Sequence, residues 1–100
     1  MKLYFNDALV QSQPEEGDVL AAFENLRAAQ AARLELRRGP DCSMSVRREH
    51  GLGFIMALQR PDGIFGLNVH ELFAEQVAGA LREFCSGEPL TLMDEAEAHA

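Results

Sequence analysis

Three histidines are the residues of this 100-residue chain best suited to bind a metal ion or transfer a proton. His50 lies in a predicted turn, His70 at a predicted helix start and His99 near the chain end. No second histidine or cysteine lies four residues from any of them, the spacing that places two ligands on one helical face. Glu71 and Glu75 follow His70, but acids in a first helical turn favour the helix dipole instead. We therefore predict no metal site.

The two cysteines, Cys42 and Cys85, are the candidate nucleophiles. A reactive thiolate needs a neighbouring base and positive surroundings. Cys85 falls near a predicted helix C-terminus, whose dipole disfavours a thiolate, and Cys42 has Arg38 nearby but no histidine. Their spacing is not that of a CxxC redox or zinc site. We predict two reduced thiols, with a disulfide as the alternative in an oxidising compartment.

Phosphate-binding and acid–base patterns are equally incomplete. Gly51 and Gly53 resemble part of a glycine-rich phosphate loop, but the third glycine and the following helix are missing. Adjacent acids at positions 15–16 and 94–95 fit a helix start and a solvated tail. Because no group of residues supports catalysis, we predict that the protein is not an enzyme and binds no cofactor.

The formal net charge of −7 is unevenly distributed along the chain. Residues 31–60 hold six arginines against three acids, whereas residues 61–100 hold one arginine against eight acids. The interpretation we favour is neutralisation between a basic sheet and acidic helices. The alternative is an acidic surface offered to a basic partner. The overall sign argues against a nucleic-acid partner, whose phosphates would be repelled.

Two features bear on the compartment. No apolar run approaches the roughly 18 residues that a membrane-spanning helix needs. The N-terminal segment has one lysine and then turns polar and acidic, unlike a secretory signal. We therefore expect a cytoplasmic protein that does not bind membranes.

Two amphipathic helices are predicted to position the chain's apolar residues, one from about residue 18 to residue 30 and one from about residue 70. Ser12 with Glu15 fits a capping box for the first helix, with Asp18 as the rival N-cap. Gly87 ends the second. The apolar residues at helical spacing are Val19, Leu20, Phe23 and Leu26, then Leu72, Phe73, Val77, Ala80, Leu81 and Phe84.

Three segments between the helices are predicted strands. The first two alternate polar and apolar residues with the period of a β-strand, whereas the third, from Phe54 to Leu58, is apolar on both faces. Three-residue loops at 39–41 and 49–51 would pair Arg38 with Cys42, and Val46 with Phe54. Both turns place the same apolar set on one face, which a one-residue slip would scatter over two faces. That set is Leu34, Leu36, Met44, Val46, Phe54, Met56 and Leu58.

A fourth strand at 64–69 has two possible orientations. A two-residue loop at Pro61 and Asp62 would place Phe65, Leu67 and Val69 on the core face. A type I turn with a glycine bulge would turn them to the opposite face, and the Pro-Asp-Gly sequence favours this second option.

The predicted architecture is an α+β fold of helix, four-stranded antiparallel β-meander and helix, with both helices packed on one face of the sheet. Lys2–Phe5 alternates and is a further candidate strand. We expect residues 1–93 to form one domain and residues 94–100 to form an acidic, disordered tail.

The opposite face of the sheet is the candidate binding surface. Ile55 and Ala57 point away from the predicted core, and no segment is left to cover them. An exposed apolar patch rimmed by charge is typical of a protein contact site. The alternatives are a terminal segment folded across the face and a homodimer through it. The predicted protein-binding residues are Ile55, Ala57, Arg47, Glu49, Asp62 and Asp41.

Residues 18–88 resemble small bacterial immunity proteins, which neutralise toxins delivered by secretion or contact-dependent systems. The resemblance lies in the Leu/Phe-spaced helix, Arg33-Leu-Glu-Leu-Arg37, the Ser-Met-Ser-Val and Gly-Phe-Ile-Met-Ala-Leu-Gln strands, and Leu81-Arg-Glu-Phe-Cys-Ser-Gly87. It implies a cytosolic, acidic, non-enzymatic protein that binds one cognate toxin, and it assigns no binding residue.

The first hypothesis is therefore a protein inhibitor that binds a toxin or effector directly. Apolar anchors would form the buried centre, and the loop acids would steer the chain toward a basic cleft. The alternatives are an acidic, dimeric secretion chaperone or adaptor, and a small-ligand sensor domain with a pocket between sheet and helices.

Overall fold

A computed structural model describes residues 1–48, 53–88 and 90. Six strands, two α-helices and one 3-10 turn make up this part of the chain. In chain order they are β1 (Lys2–Phe5), β2 (Ala8–Gln11), α1 (Glu16–Ala28), β3 (Ala32–Gly39), β4 (Cys42–Arg48), β5 (Gly53–Arg60), β6 (Gly63–His70), the 3-10 turn (Glu71–Phe73) and α2 (Ala74–Ser86).

The strands form one antiparallel sheet in the order β2-β1-β3-β4-β5-β6. The α+β class and the antiparallel sheet are confirmed, but the predicted helix, four-stranded meander and helix is wrong. A β-hairpin precedes α1, and its first strand pairs with β3. The hairpin turns at Asn6 and Asp7, whose φ angles of 50° and 66° lie in the left-handed region. Asparagine and aspartate tolerate that conformation better than most residues, which favours a two-residue hairpin turn here.

Helix α1 starts at a cap that differs from the predicted one. Glu15 is the N-cap, and its backbone N–H donates to the Asp18 carboxylate at 2.9 Å. The expected capping box of Ser12 with Glu15 is therefore wrong, and Asp18 is the third helical residue rather than the cap. The helix ends at Ala28 because Ala32 already belongs to β3.

The apolar residues of the central strands lie on the predicted face of the sheet, but some of the predicted residue pairs are wrong. Leu34 lies opposite Val46 as expected, whereas Val46 lies opposite Met56 and not Phe54. The β4–β5 register is thus two residues from the prediction, and a shift by an even number leaves each side chain on its original face. At the β3–β4 turn Gly39, not Arg38, pairs with Cys42.

Strand β6 has the orientation predicted for a two-residue loop, which was the less favoured of the two options. Arg60 pairs with Gly63, so Pro61 and Asp62 form a two-residue loop. Gly63 has φ 151°, which side-chain-bearing residues rarely adopt. Val69 is consequently buried on the helix side of the sheet, with the half-buried Phe65 and Leu67 packed against the core.

The second helix starts later than predicted. The His70 ring Nδ1 accepts the Leu72 N–H at 3.1 Å, and this cap starts the 3-10 turn. Leu72 and Phe73 are 83% and 52% exposed, so their assignment to the apolar stripe is wrong. Gly87, with φ 80°, ends α2 as predicted.

A single core lies between the sheet and the two helices. Phe23 of α1 meets Phe54 of β5 with ring centroids 5.4 Å apart. Most even-numbered apolar residues of β3, β4 and β5 belong to this core, together with residues of both helices. Its members are Leu3, Val19, Ala22, Phe23, Leu26, Ala32, Leu34, Leu36, Met44, Val46, Phe54, Met56, Leu58, Val69, Ala74, Val77, Ala80, Leu81 and Phe84.

Candidate functional site

The sheet has one face without a helix, which we call the helix-free face. In strands β3–β6, none of the side chains that point away from the core is buried. Within residues 1–48, 53–88 and 90, no helix or strand packs over it. Its residues in these strands are Arg33, Glu35, Arg37, Ser43, Ser45, Arg47, Ile55, Ala57, Gln59, Ile64, Gly66, Asn68 and His70.

Ile55 and Ala57 lie in β5, between two other strands of this face. Ile55 has Arg47 on one side and Asn68 on the other, and Ala57 lies between Ser45 and Gly66. Both side chains are half-buried, so their lateral neighbours shield them only in part. Arg47 is exposed beside Ile55. The structure thus brings three predicted binding residues into one patch.

Charged side chains fill the β3 side of the helix-free face. The Glu35 carboxylate lies between two arginines, 3.2 Å from Arg33 Nη2 and 2.7 Å from Arg37 Nη2. Arg33 also pairs with Asp7 at 3.3 Å, and the Arg37 guanidinium stacks 4.8 Å from the Tyr4 ring centroid. These contacts hold Glu35 at 13% exposure and order the polar end of the face.

The helix-free face carries charges of both signs. Among the described residues, Lys2 and three arginines point to this face, and four acids lie on it or in its turns, namely Glu35, Asp7, Asp41 and Asp62. Several further acids lie on the helices, and Glu16 of α1 approaches Arg82 of α2 within 3.7 Å. Bases and acids thus neutralise one another in part within each layer.

Two of the remaining predicted residues lie at one end of the sheet. Asp41 is exposed in the β3–β4 turn and Asp62 in the β5–β6 turn, which are at the same end. The Asp62 carboxylate lies 3.7 Å from Arg60 Nε. Glu49 lies outside the described residues. Asp41 and Asp62 therefore lie at the end of the helix-free face that is nearer to Ala57 than to Ile55.

One charged cluster lies on the helix side, where the sequence analysis did not expect it. Arg48 is 7% exposed, and its Nη1 lies 2.6 Å from the Glu71 carboxylate. Arg27 reaches the same carboxylate at 3.3 Å, and the Arg48 guanidinium lies 5.1 Å from the Phe54 ring centroid. Glu71 thereby ties the 3-10 turn to β4 and α1. The two-residue period of β4 could have predicted that Arg48 lies on the helix side, because position 48 shares a face with Met44 and Val46.

Both cysteines are free thiols and are half-buried. Burial raises the pKa of the Cys85 thiol, and the charge of Glu16 raises it further, while Arg38 opposes both. Arg38 also donates to the Phe84 carbonyl at the end of α2 and stacks over the Phe84 ring. Cys85 is therefore kept in the protonated form, which is a poor nucleophile.

We expect Cys85 to react slowly with an alkylating reagent in the folded protein. The rate increases with pH as the thiol loses its proton. This increase should occur at a higher pH in the folded protein than in the urea-unfolded chain, because folding raises the pKa of Cys85. Mass spectrometry of the Cys85 peptide at a series of pH values measures both curves. Coincident curves would contradict this expectation.

A metal centre and a pocket are the other kinds of site to consider in the described residues. Among them, no group of three or more histidine, cysteine or acidic side chains is placed to hold a metal ion. A cavity of about 410 Å³ lies between the helices, lined in part by Glu24, Arg27, Glu75 and Arg82. A second cavity of about 300 Å³ lies between the β1–β2 hairpin and α1, lined in part by Phe5, Val10 and Ala22. Its position between sheet and helix is the one that the sensor-domain alternative requires.

No family model, curated protein or solved structure matches the chain. In the part of the chain described, neither helix is long and apolar enough to cross a membrane.

Proposed function

We propose that this chain is a non-enzymatic, cytosolic protein-binding domain that uses the helix-free face, and that it acts as an immunity-type inhibitor of a toxin. The observation that carries the proposal is the patch of Ile55, Ala57 and Arg47, which no described element covers. The class of partner comes from the resemblance of residues 18–88 to immunity proteins.

The helix-free face could supply most of a stable contact. Four strands about 4.8 Å apart and about eight residues long at about 3.4 Å per residue span roughly 500 Å², to which the β1–β2 hairpin adds. A standard interface buries roughly 800 Å² of accessible surface on each partner. A partner of standard size would therefore also contact the turns at the rim of the sheet.

Arg47 defines the chemistry next to the apolar centre of the patch. Its side chain is exposed beside Ile55. A partner that buries Ile55 must place an acidic or hydrogen-bonding group opposite Arg47, because a base there would be repelled. Asp41 and Asp62 at the rim would meet basic groups at the edge of the same contact. We therefore propose a toxin surface with an apolar centre and an acidic group beside it.

Calorimetry with the purified product of the neighbouring gene tests this function. We expect one-to-one binding, and Ile55→Asp should weaken it at least tenfold, because a charge would be buried at the apolar centre. Ile55→Thr keeps the β-propensity and should weaken binding less. Circular dichroism should show that both variants remain folded.

The matched control is Leu72→Asp, which changes an 83% exposed residue on the 3-10 turn. It should leave the affinity unchanged. Unchanged binding by Ile55→Asp would contradict the role of the helix-free face. A neighbouring gene product that does not bind, or that is held unfolded, would contradict the immunity function, and the second outcome would favour a chaperone.

A further inference from the structure

Strand β6 is one of the two edges of the sheet that the described residues form. It has eight residues, none of them Asp, Glu, Lys or Arg, and ends the strand order opposite β2. Natural edge strands are usually short, charged or interrupted, because free backbone groups pair with other strands. Among the described residues no strand lies on the outer side of β6. The long, uncharged edge is therefore suited to adding a strand.

The register shows which backbone groups are available. A Cβ built on Gly53 would lie 2.7 Å from the Val69 carbonyl oxygen, so that carbonyl is directed at β5. The Met56 carbonyl oxygen similarly lies near Gly66, beside its pairing partner Leu67. Hydrogen-bonded pairs alternate along an antiparallel ladder. The N–H and C=O groups of the intervening residues Ile64, Gly66 and Asn68 therefore point to the open side.

Both faces of this edge carry apolar side chains that are only partly covered. Ile64 is 72% exposed on the helix-free face. Phe65 and Leu67 are half-buried on the helix side, at the margin of the core, and the Arg60 guanidinium lies 4.4 Å from the Phe65 ring centroid. A strand added here would cover backbone and side chains together.

We propose that the occupant of this edge is β6 of a second copy of the chain, antiparallel and with Gly66 on the two-fold axis. This register pairs outward-facing backbone groups with one another, Gly66 with Gly66 and Ile64 with Asn68 of the second copy. It forms one continuous twelve-stranded sheet, with the helices of both copies on the same side.

Side chains on both faces favour a second copy. On the helix side, Phe65 and Leu67 fall opposite Leu67 and Phe65 of the second copy in non-hydrogen-bonded pairs, where side chains approach most closely. On the other face, Asp62 falls opposite His70 of the second copy, which brings unlike groups together. Because the strand holds no acid, lysine or arginine, self-pairing opposes no like charges.

Analytical ultracentrifugation of the full chain tests the proposal. The mass should be near 22 kDa, twice the chain mass of 11.0 kDa. Gly66→Lys and Gly66→Glu should each give a monomer, because the two-fold axis brings two like charges together. Both substitutions fit the monomer, since the nearest atom to a Cβ at Gly66 is the Met56 oxygen at 3.7 Å. Mixing the two variants should restore a dimer that contains one copy of each.

Circular dichroism should show unchanged folding of both Gly66 variants, and Leu72→Lys should remain dimeric. A monomeric wild-type chain would overturn the proposal and favour the chain's own C-terminal segment, or none, on the edge. Dimeric single variants, or a mixture that stays monomeric, would overturn the stated register. Because Ile55 does not lie in β6, failure of the dimer leaves the proposed toxin contact separately testable.

Discussion

Replacing Phe54 with alanine should lower the free energy of unfolding by about 4 kcal/mol, the central cost of deleting a buried phenylalanine. Phe54 is almost fully buried, and its ring contacts Phe23 on one element and the Arg48 guanidinium on another. The substitution would leave a cavity where β5, α1 and the Arg48 cluster meet. Urea unfolding followed by circular dichroism measures the change.

The control for this substitution is Phe73→Ala, which removes the same side chain from a site that is 52% exposed. Its cost should be below about 1 kcal/mol, typical of surface changes. Equal costs at positions 54 and 73 would contradict the placement of the core and of the 3-10 turn.

Replacing Glu71 with glutamine should lower the free energy of unfolding by about 2 kcal/mol, because it leaves the buried Arg48 charge without its carboxylate. The value is below that of a fully buried pair because the Glu71 side chain is 32% exposed and solvent screens the interaction. Arg27 also loses its contact with this carboxylate. Urea unfolding again provides the measurement.

A double-mutant cycle separates the ion pair from other effects of the change. Arg48→Met with Glu71→Gln should cost clearly less than the sum of the two single substitutions, because the double variant buries no uncompensated charge. Additive costs would show that Glu71 does not stabilise Arg48. Glu75→Gln, one turn further on at an exposed position of α2, should be nearly neutral.

The core face of the central sheet could be predicted because strand alternation constrains it strongly. The β4–β5 loop length was misjudged, yet Met56 and Phe54 stayed on the right face because the error was an even number of residues. The glycine at position 63 was interpreted as a bulge, whereas it closes a two-residue loop. The loop is one residue shorter than predicted, so Phe65 and Leu67 lie on the opposite face of the sheet from the favoured prediction. The residue types of the turn therefore did not decide the orientation of β6.

Other features needed the tertiary structure. Strand β2 is wholly exposed, so its residues lack the alternation that marks a half-buried strand. Leu72 and Phe73 fit the helical period, but the His70 cap places them in a 3-10 turn that points outward. Apolar residues at helical spacing do not by themselves show where a helix begins.

The candidate site was predicted in part. The Ile55, Ala57 and Arg47 patch follows directly from strand alternation and register. The distribution of charge over the helix-free face does not, because it depends on which layer each charged side chain joins. The acids expected to steer a partner lie at the sheet end or outside the described residues, and the centre of the patch holds an arginine instead.

The two isoleucines of the chain, Ile55 and Ile64, provide the most direct test of the central claim that the helix-free face binds a protein. Selective labelling of isoleucine methyl groups should give two signals, one from the patch and one from the β6 edge. At fixed chain concentration, adding the neighbouring gene product should shift or broaden the Ile55 signal in proportion to the bound fraction measured by calorimetry. Saturating binding that leaves the Ile55 signal unmoved would contradict the claim.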